Sequence, residues 1–268
     1  MPSLMGIIDR YFIKKPRLRR LLTKWYYGDT SKTVNIFNTR LFINSIKENG
    51  YLRAYRYANK SSVFKDEVSV LINLSSLIRA GTSFVDAGAN VGLFSSTIER
   101  FQKLYSDINI YAFEANPDTF QRLLKTIEHT NVRAYNIALS NDEKELEFVQ
   151  GVVSHVFAEK TYIRPYHLKN QKITKVQAKR LDQFDIKGDS IILKIDVEGH
   201  EYEVLEGARK LFDSNRVSVV YLDGYRKKEK VLPFLQDYGF TFFDGRNFKA
   251  IDVYNFSLLS VKTGVFNK

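Results

Sequence analysis

Phe84-Val85-Asp86-Ala87-Gly88-Ala89-Asn90-Val91-Gly92 reads as a short buried strand, 84–88, giving way through small residues to a helix over 91–105. In that helix Phe94, Ile98, Phe101 and Tyr105 return at helical spacing and predict its inward face. A strand ending in a small-residue turn at a helix N-terminus leaves backbone amides open to a ligand. The next segment repeats the unit. Residues 109–114 predict a second strand, Asn116 and Pro117 an N-cap and first-turn pair, and Phe120, Leu123, Leu124 and Ile127 an apolar helical stripe. Residues 131–137 predict a third strand and 145–149 a further one.

Working outward, residues 33–45 alternate around Asn38-Thr39, which predicts a β-hairpin. Val68, Leu71, Ile72 and Ile78 stand at helical spacing, with Gly81 where a C-cap belongs. Residues 150–175 show no clear period but carry His155, Phe157, Tyr162, Arg164, Tyr166 and His167; a loop of that length in a compact domain is commonly functional. Beyond it come strand 190–196, helix 199–212, strand 217–222, helix 227–238, and an antiparallel pair from 239–243 and 249–262. This alternation predicts an α/β fold, a doubly wound, mostly parallel sheet covered by helices on both faces. Ligands in such sheets sit outside the carboxyl ends of the strands.

Composition narrows the function. The 268 residues are 44% hydrophobic and 14% aromatic, an ordinary globular balance. With no cysteine, thiolate zinc sites, disulfide scaffolds and cysteine nucleophiles are excluded. No apolar run approaches a membrane span, and the N-terminus lacks the apolar core of a secretory signal, so a soluble cytoplasmic protein is expected. Residues 1–27 hold seven basic side chains against Asp9, +6 of the chain's net +11. Interleaved with Ile7, Ile8, Tyr11, Phe12, Leu18, Leu21, Leu22 and Trp25, these charges suit an anionic membrane surface or nucleic acid. A solvated terminal helix docked by its apolar face is the alternative.

Two clusters carry chemistry. Glu114 ends the second strand, 22 residues beyond Gly92, where an acid can hold ribose hydroxyls. The glycines run G-x-x-x-G, so the dinucleotide fingerprint is absent, and no P-loop motif occurs. A strand-end Asp86 before a small-residue turn, followed by a ribose acid, suits a cationic nucleoside such as S-adenosylmethionine. The second cluster is Leu193-Lys194-Ile195-Asp196-Val197-Glu198-Gly199-His200-Glu201. Asp196 ends the fourth parallel strand, and Glu201 shares the inward helix face of Val204 and Leu205, whereas Glu203, Glu206 and Lys210 are expected to point outward. Glu206 and Lys210 read as a surface i, i+4 pair.

The runs FVDAGANVG, FEANPDTFQRLL, NIALSND, RLDQF and LKIDVEGHEYEVLEGA, in this order and spacing, closely resemble the FkbM-family S-adenosylmethionine-dependent methyltransferases over about residues 65–225. The resemblance implies the class I methyltransferase (Rossmann-like) fold, a seven-stranded sheet with a reversed last strand. It implies that Asp86, Gly88, Asn90 and Gly92 line the methionine end of the cofactor. Glu114 would then hold the ribose, Ala138 and Leu139 flank the adenine, and Asp196 with Glu198 face the reacting centre. There are two departures: Ala115, beside the ribose acid, stands where the family commonly has proline, and the fifth strand ends in Asp223-Gly224 where a Glu is more usual, which bears on the acceptor pocket and not on the cofactor. The chain then divides into a basic extension over 1–62, a helix and hairpin, and a methyltransferase domain over 63–268 with 150–175 as a substrate-side loop.

Methyl transfer from a sulfonium chiefly demands positioning, and an alcohol acceptor also has to lose its proton. Asp196 is the first choice of base, with His200 an alternative that can equally be a solvent-facing helix residue. Four scattered histidines argue against zinc, and a magnesium ion on Asp196 and Glu198 is compatible with the sequence but required by no spacing. The resemblance points to hydroxyls of sugars, glycans or glycosylated natural products, and a basic N-terminus suits a lipid-linked glycan. The rivals are an RNA 2′-O-methyltransferase, which the charge recommends but no legible RNA-binding module supports, and a non-catalytic cofactor-binding protein, against which Asp86, Glu114 and Asp196 speak together.

Overall fold

The computed structural model describes residues 16–56, 66–150, 155–157, 172–251 and 257–264. An N-terminal helix α1 (Pro16–Tyr27) leads into strands β1 (Ser31–Ile36) and β2 (Thr39–Asn44), followed by helices α2 (Asn49–Arg56) and α3 (Val68–Ser76). The β1–β2 turn falls on Phe37 and Asn38, both at positive φ (51° and 59°), one residue earlier than the sequence suggests. That geometry matches the right-handed twist of a two-residue hairpin.

The central sheet is built from β3 (Thr82–Ala87), β4 (Asn109–Phe113), β5 (Arg133–Tyr135), β10 (Ser190–Ile195), β11 (Val217–Leu222), β12 (Phe240–Asp244) and β13 (Leu258–Lys262). Its order is β5-β4-β3-β10-β11-β13-β12. Six strands run in one direction, while β13 lies antiparallel between β11 and β12. The expected reversed last strand is thus β13. Helices α4 (Leu93–Glu99), α5 (Pro117–Ile127), α6 (Glu201–Gly207), α7 (Arg209–Asp213) and α8 (Lys228–Asp237) complete the unit. Asn116 caps α5 through its Oδ1, which accepts from the Asp118 and Thr119 amides at 3.0 and 3.4 Å.

A second sheet of four strands joins β6 (Ala138–Leu139), β7 (Lys144–Gln150), β8 (His155–Phe157) and β9 (Lys172–Lys179) in the order β6-β9-β7-β8. The segment expected as an aperiodic loop, 150–175, therefore begins and ends in strands, and 155–157 is another. Tyr162, Arg164, Tyr166 and His167 lie outside the described residues, as does the basic run before residue 16.

Three other expectations are corrected by packing. The helix expected over 199–212 is interrupted at Ala208 (φ −100°, ψ 4°), next to Gly207, which passes so close to the loop after β6 that a Cβ there would lie 1.9 Å from the Ser140 carbonyl oxygen. Ile72 and Leu124 face solvent (51% and 38% exposed), so α3 buries Val68, Val70, Leu71 and Leu74 and α5 buries Leu123 and Ile127. Glu203 is buried, because Lys227, just ahead of α8, closes over that side of α6 and pairs with it.

Residues 34–54 share one hydrophobic core with the sheet. Val34, Ile36, Leu41, Ile43, Tyr51 and Leu52 pack with Phe84, Ile110, Ile192 and Val219. Buried polar contacts reinforce the joint: Thr39 and Thr97 share a hydroxyl hydrogen bond of 2.8 Å, and Arg122 pairs with Glu48 at 2.7 Å.

Candidate active site

The chain leaves β3 for β4 on one side and reaches β10 and β11 on the other, so the topological switch lies between β3 and β10, where a ligand crevice is expected. The carboxyl ends of β3, β4, β10 and β11 bring Asp86, Glu114, Asp196 and Asp223 to one edge of the sheet.

Lys194 interrupts an otherwise apolar strand and stands in register with Asp86 on β3. Its Nζ donates to Asp86 Oδ1 at 2.7 Å and to the Gly88 carbonyl at 3.1 Å, and it lies 5.1 Å from the centroid of Phe94. Asp86 Oδ2 accepts from Ser95 Oγ at 2.6 Å. Both partners are buried. Burial alone would lower the Lys194 ammonium, but Asp86, Asp196 and Asp223 together hold it above its usual range. Lys194 was not singled out in the sequence, although a lysine inside an apolar parallel strand is itself a signal that a carboxylate waits beside it.

The small-residue turn is shaped by the protein's own contacts. Gly88 (φ 78°) touches the loop after β10, where a Cβ would lie 1.9 Å from the Asp196 carbonyl oxygen. Gly92 (φ 88°) faces Leu123 of α5, 2.7 Å from a notional Cβ. Asn90 takes a left-handed conformation (φ 52°), and its amide donates to Glu114 Oε2 at 2.9 Å. Glu114 Oε1 accepts the Asn116 amide at 2.8 Å. Burial raises this carboxyl to about 7, against the pull of those two amides. Ala138 is buried beside Ala115, the residue after Glu114, while Leu139 joins the main core. Asn136 ties the two neighbourhoods by donating to the Glu114 and Ala115 carbonyls at 2.8 and 3.1 Å.

Asp196 sits at the opposite side of the turn, its amide bonded to the Ala87 carbonyl at 2.9 Å. Burial raises its carboxyl to about 7; Lys194 opposes this, and Asp223, Glu198 and Asp86 add to it. Glu198 follows in a left-handed conformation (φ 57°), its carboxyl raised by partial loss of water and then by the neighbouring Asp223 and Glu201. Asp223 accepts from the buried Tyr221 hydroxyl at 3.0 Å.

His200 is not gathered with these acids. It is buried, with Nε2 2.9 Å from Ser140 Oγ and Nδ1 3.5 Å from Glu203. Burial holds it down to about 4, so it is neutral at pH 7. Glu201 faces inward as expected and accepts the Gly199 amide at 2.6 Å and the Arg226 amide at 3.2 Å, which fixes the turn carrying Glu198. Glu206 is engaged by Asn141, Tyr202 and Arg209 instead of forming the expected surface pair with Lys210.

Two residues that sequence reading passed over act on these acids. Glu67, at the start of α3, lies within electrostatic range of Asp196, Asp223 and Lys194, and Tyr51 of α2 donates to Glu67 Oε2 at 3.2 Å. Among the described residues, no three His, Asp or Glu side chains gather as a metal site, and no helix is long and apolar enough to cross a membrane.

The donor set fits S-adenosylmethionine: Glu114 offers a buried carboxylate for vicinal hydroxyls, and the acids around Asp196 suit a cationic sulfur. The strand order with its reversed strand and these strand-end acids define the class as the S-adenosylmethionine-dependent methyltransferases of class I fold. Residues 86–242 match the family described as the methyltransferase FkbM domain, and since that is more than half of the chain, the chain belongs to this family. A hexuronic acid methyltransferase, AglP, of Haloferax volcanii is 26% identical over 137 residues, 50% of this chain and 53% of that protein, so the match spans about half of that relative's length. Solved structures of similar fold include a TehB-like S-adenosylmethionine-dependent methyltransferase of Corynebacterium glutamicum (10% identical, TM-score 0.41, covering 80% of this chain and 97% of that one). Another is an S-adenosylmethionine-dependent O-methyltransferase of Thermotoga maritima (9% identical, TM-score 0.38, covering 90% and 81%).

Proposed function

We propose that this chain transfers a methyl group from S-adenosylmethionine to a hydroxyl of a sugar or glycan. The observation that carries the reading is Asp196, a half-buried strand-end carboxyl raised to about 7 at the switch point of the sheet. When bound, the cofactor supplies an electrophilic methyl carbon. Glu114 holds its ribose, and the 88–92 turn its methionine end, with Asp86 and Lys194 as the rigid floor beneath that turn. Ala138 flanks its adenine. Asp196 accepts the proton that the acceptor hydroxyl gives up, and Glu198 borders the acceptor. His200, engaged by Ser140 and Glu203, acts as a positioning residue for the loop that carries Glu198. The sugar assignment draws support from the relative that methylates a hexuronic acid.

The test is transfer of labelled methyl from S-adenosylmethionine into fractionated lipids, glycans and RNA. Label in the saccharide fraction supports the proposal, label in RNA replaces it with the 2′-O-methyltransferase reading, and cofactor binding without transfer leaves a non-catalytic protein. A base has to be deprotonated to act, so a carboxyl at about 7 gives a rate that falls tenfold per pH unit well below pH 7 and levels off above it. A flat rate between pH 5 and 8 would remove Asp196 from that role.

A peripheral membrane contact is part of the proposal, and α1 supports it. The helix docks through buried Thr23 and half-buried Tyr27, which bond to Asn49 and Arg56. Leu21 and Trp25, four residues apart, are 65% and 74% exposed, and the helix sequence carries Arg17, Arg19, Arg20 and Lys24 with no acid. Apolar side chains beside basic ones fit an anionic lipid interface. Leu21→Glu with Trp25→Glu is expected to weaken binding to phosphatidylglycerol vesicles by at least about tenfold, with phosphatidylcholine vesicles binding neither form. Cosedimentation at two salt concentrations checks this, and equal binding of both forms rejects it.

A further inference from the structure

Glu201 clamps together two loops that leave the adjacent strands β10 and β11. Its Oε1 accepts the Gly199 amide at 2.6 Å and its Oε2 the Arg226 amide at 3.2 Å. The loop after β11 is tied back a second time, through the Asp223 amide to the Ile195 carbonyl at 3.4 Å. Arg226 is thereby laid against the Glu198–Gly199 turn. Its Cδ and Nε lie 3.0 Å, and its Cζ 3.2 Å, from where a Cβ at 199 would stand, so glycine leaves room for the guanidinium. Arg226 is exposed, and among the described residues its guanidinium has no hydrogen bond or ion pair. Residues 226–230 hold four basic side chains against Glu229. Lys227 is engaged by Glu203, and Lys228 and Lys230 lie over the rings of Tyr225 and Tyr202 at 5.8 and 5.3 Å. Of the four, Arg226 is the one set at the turn beyond Asp196.

Resting on the methyltransferase reading with Asp196 as its base, we propose that Arg226 is a specificity-determining residue that receives an oxyanion, a carboxylate or a phosphate, on the saccharide acceptor. The acceptor class is then an acidic sugar. A planar guanidinium fork pairs with either group through two parallel hydrogen bonds. Neighbouring strands lie about 4.8 Å apart, so the loops that follow β10 and β11 can engage two groups of one sugar ring. The anion rests on Arg226 after β11, and the hydroxyl to be methylated meets Asp196 at the end of β10. Glu198 and Asp223 flank this position, and like charge repels the anion from any pose in which Arg226 does not hold it.

The test is isothermal titration of methyl glucuronoside, glucose 6-phosphate and methyl glucoside into the full chain saturated with S-adenosylhomocysteine. The wild type is expected to bind an acidic sugar at least about tenfold more tightly than the neutral one, the size of one charge-assisted pairing. Which acidic sugar binds better separates a carboxylate acceptor from a phosphorylated one. Arg226→Gln should remove the preference and leave methyl glucoside within about twofold of wild type. Arg226→Lys keeps the charge but not the fork, and should recover part of the preference. Both variants should unfold near the wild-type thermal midpoint, since the side chain is exposed. If Arg226 merely balances Glu198, Arg226→Gln weakens all three sugars alike or lowers the midpoint with the preference unchanged. Either result, or a wild type that binds the three sugars equally or none of them, overturns the proposal and leaves the methyltransferase reading standing. A wild type that does not bind S-adenosylhomocysteine overturns both.

Discussion

Lys194→Met is expected to destabilise the protein by about 3–5 kcal/mol, the loss found when one partner of a buried ion pair is removed and the other keeps its charge. Asp86 and Lys194 are both buried, and their 2.7 Å contact is supplemented by Ser95 on the acid and the Gly88 carbonyl on the ammonium. Methionine fills a similar volume against Phe94, so the loss is electrostatic and not a cavity. Urea unfolding should show a lowered midpoint at unchanged slope. Pairing it with Asp86→Leu should recover much of the stability, since an apolar pair of similar volume is often neutral relative to a buried ion pair. Cofactor binding should remain impaired in the double variant, because the Gly88 turn has lost the ammonium that holds its carbonyl. A Lys194→Met protein as stable as wild type would show that the pair is not worth its desolvation and that its place in the fold is dispensable.

Asp196→Asn is expected to lower the rate of methyl transfer by about 10²–10⁴ while leaving the thermal midpoint and S-adenosylhomocysteine affinity close to wild type. Asparagine preserves shape and the Asp196 amide bond to Ala87, which the backbone supplies, but it cannot accept the proton of an attacking hydroxyl. Residual activity should fall less steeply below pH 7, because the proton-accepting carboxyl among those that titrate there is gone. The measurement is labelled methyl incorporation at pH 6 and pH 8, with wild type and variant at saturating cofactor. An asparagine variant with a wild-type rate would move the proton-accepting role elsewhere, with Glu67 and Glu198 the next carboxyls to test. His200, neutral and tied to Ser140 and Glu203, is the least suited of the candidates to replace it.

The sequence by itself determined the alternation of strands and helices that builds the central sheet, the antiparallel pair near the end, and the strand-end acids Asp86, Glu114 and Asp196, but not the second sheet formed by β6, β8 and β9 with β7. Each of these is local: period-two and period-3.6 patterns, an Asn-Pro cap, and small residues at a strand-to-helix turn all act within a few residues. Only the tertiary structure decided which charges share a space. Lys194 and Asp86 are 108 residues apart and meet because β10 and β3 are parallel neighbours in register. Glu203 is buried because Lys227 arrives from the start of α8, and Ile72 faces solvent because α3 presents another side to the core. Tyr51 meets Phe84 and Ile192 in one core because the hairpin and α2 pack on the sheet. Helical or strand spacing says which side chains share a face, but not which element will cover it, and the protonation of Glu67, Glu114 and Asp196 follows from that covering, since burial is the largest influence on all three.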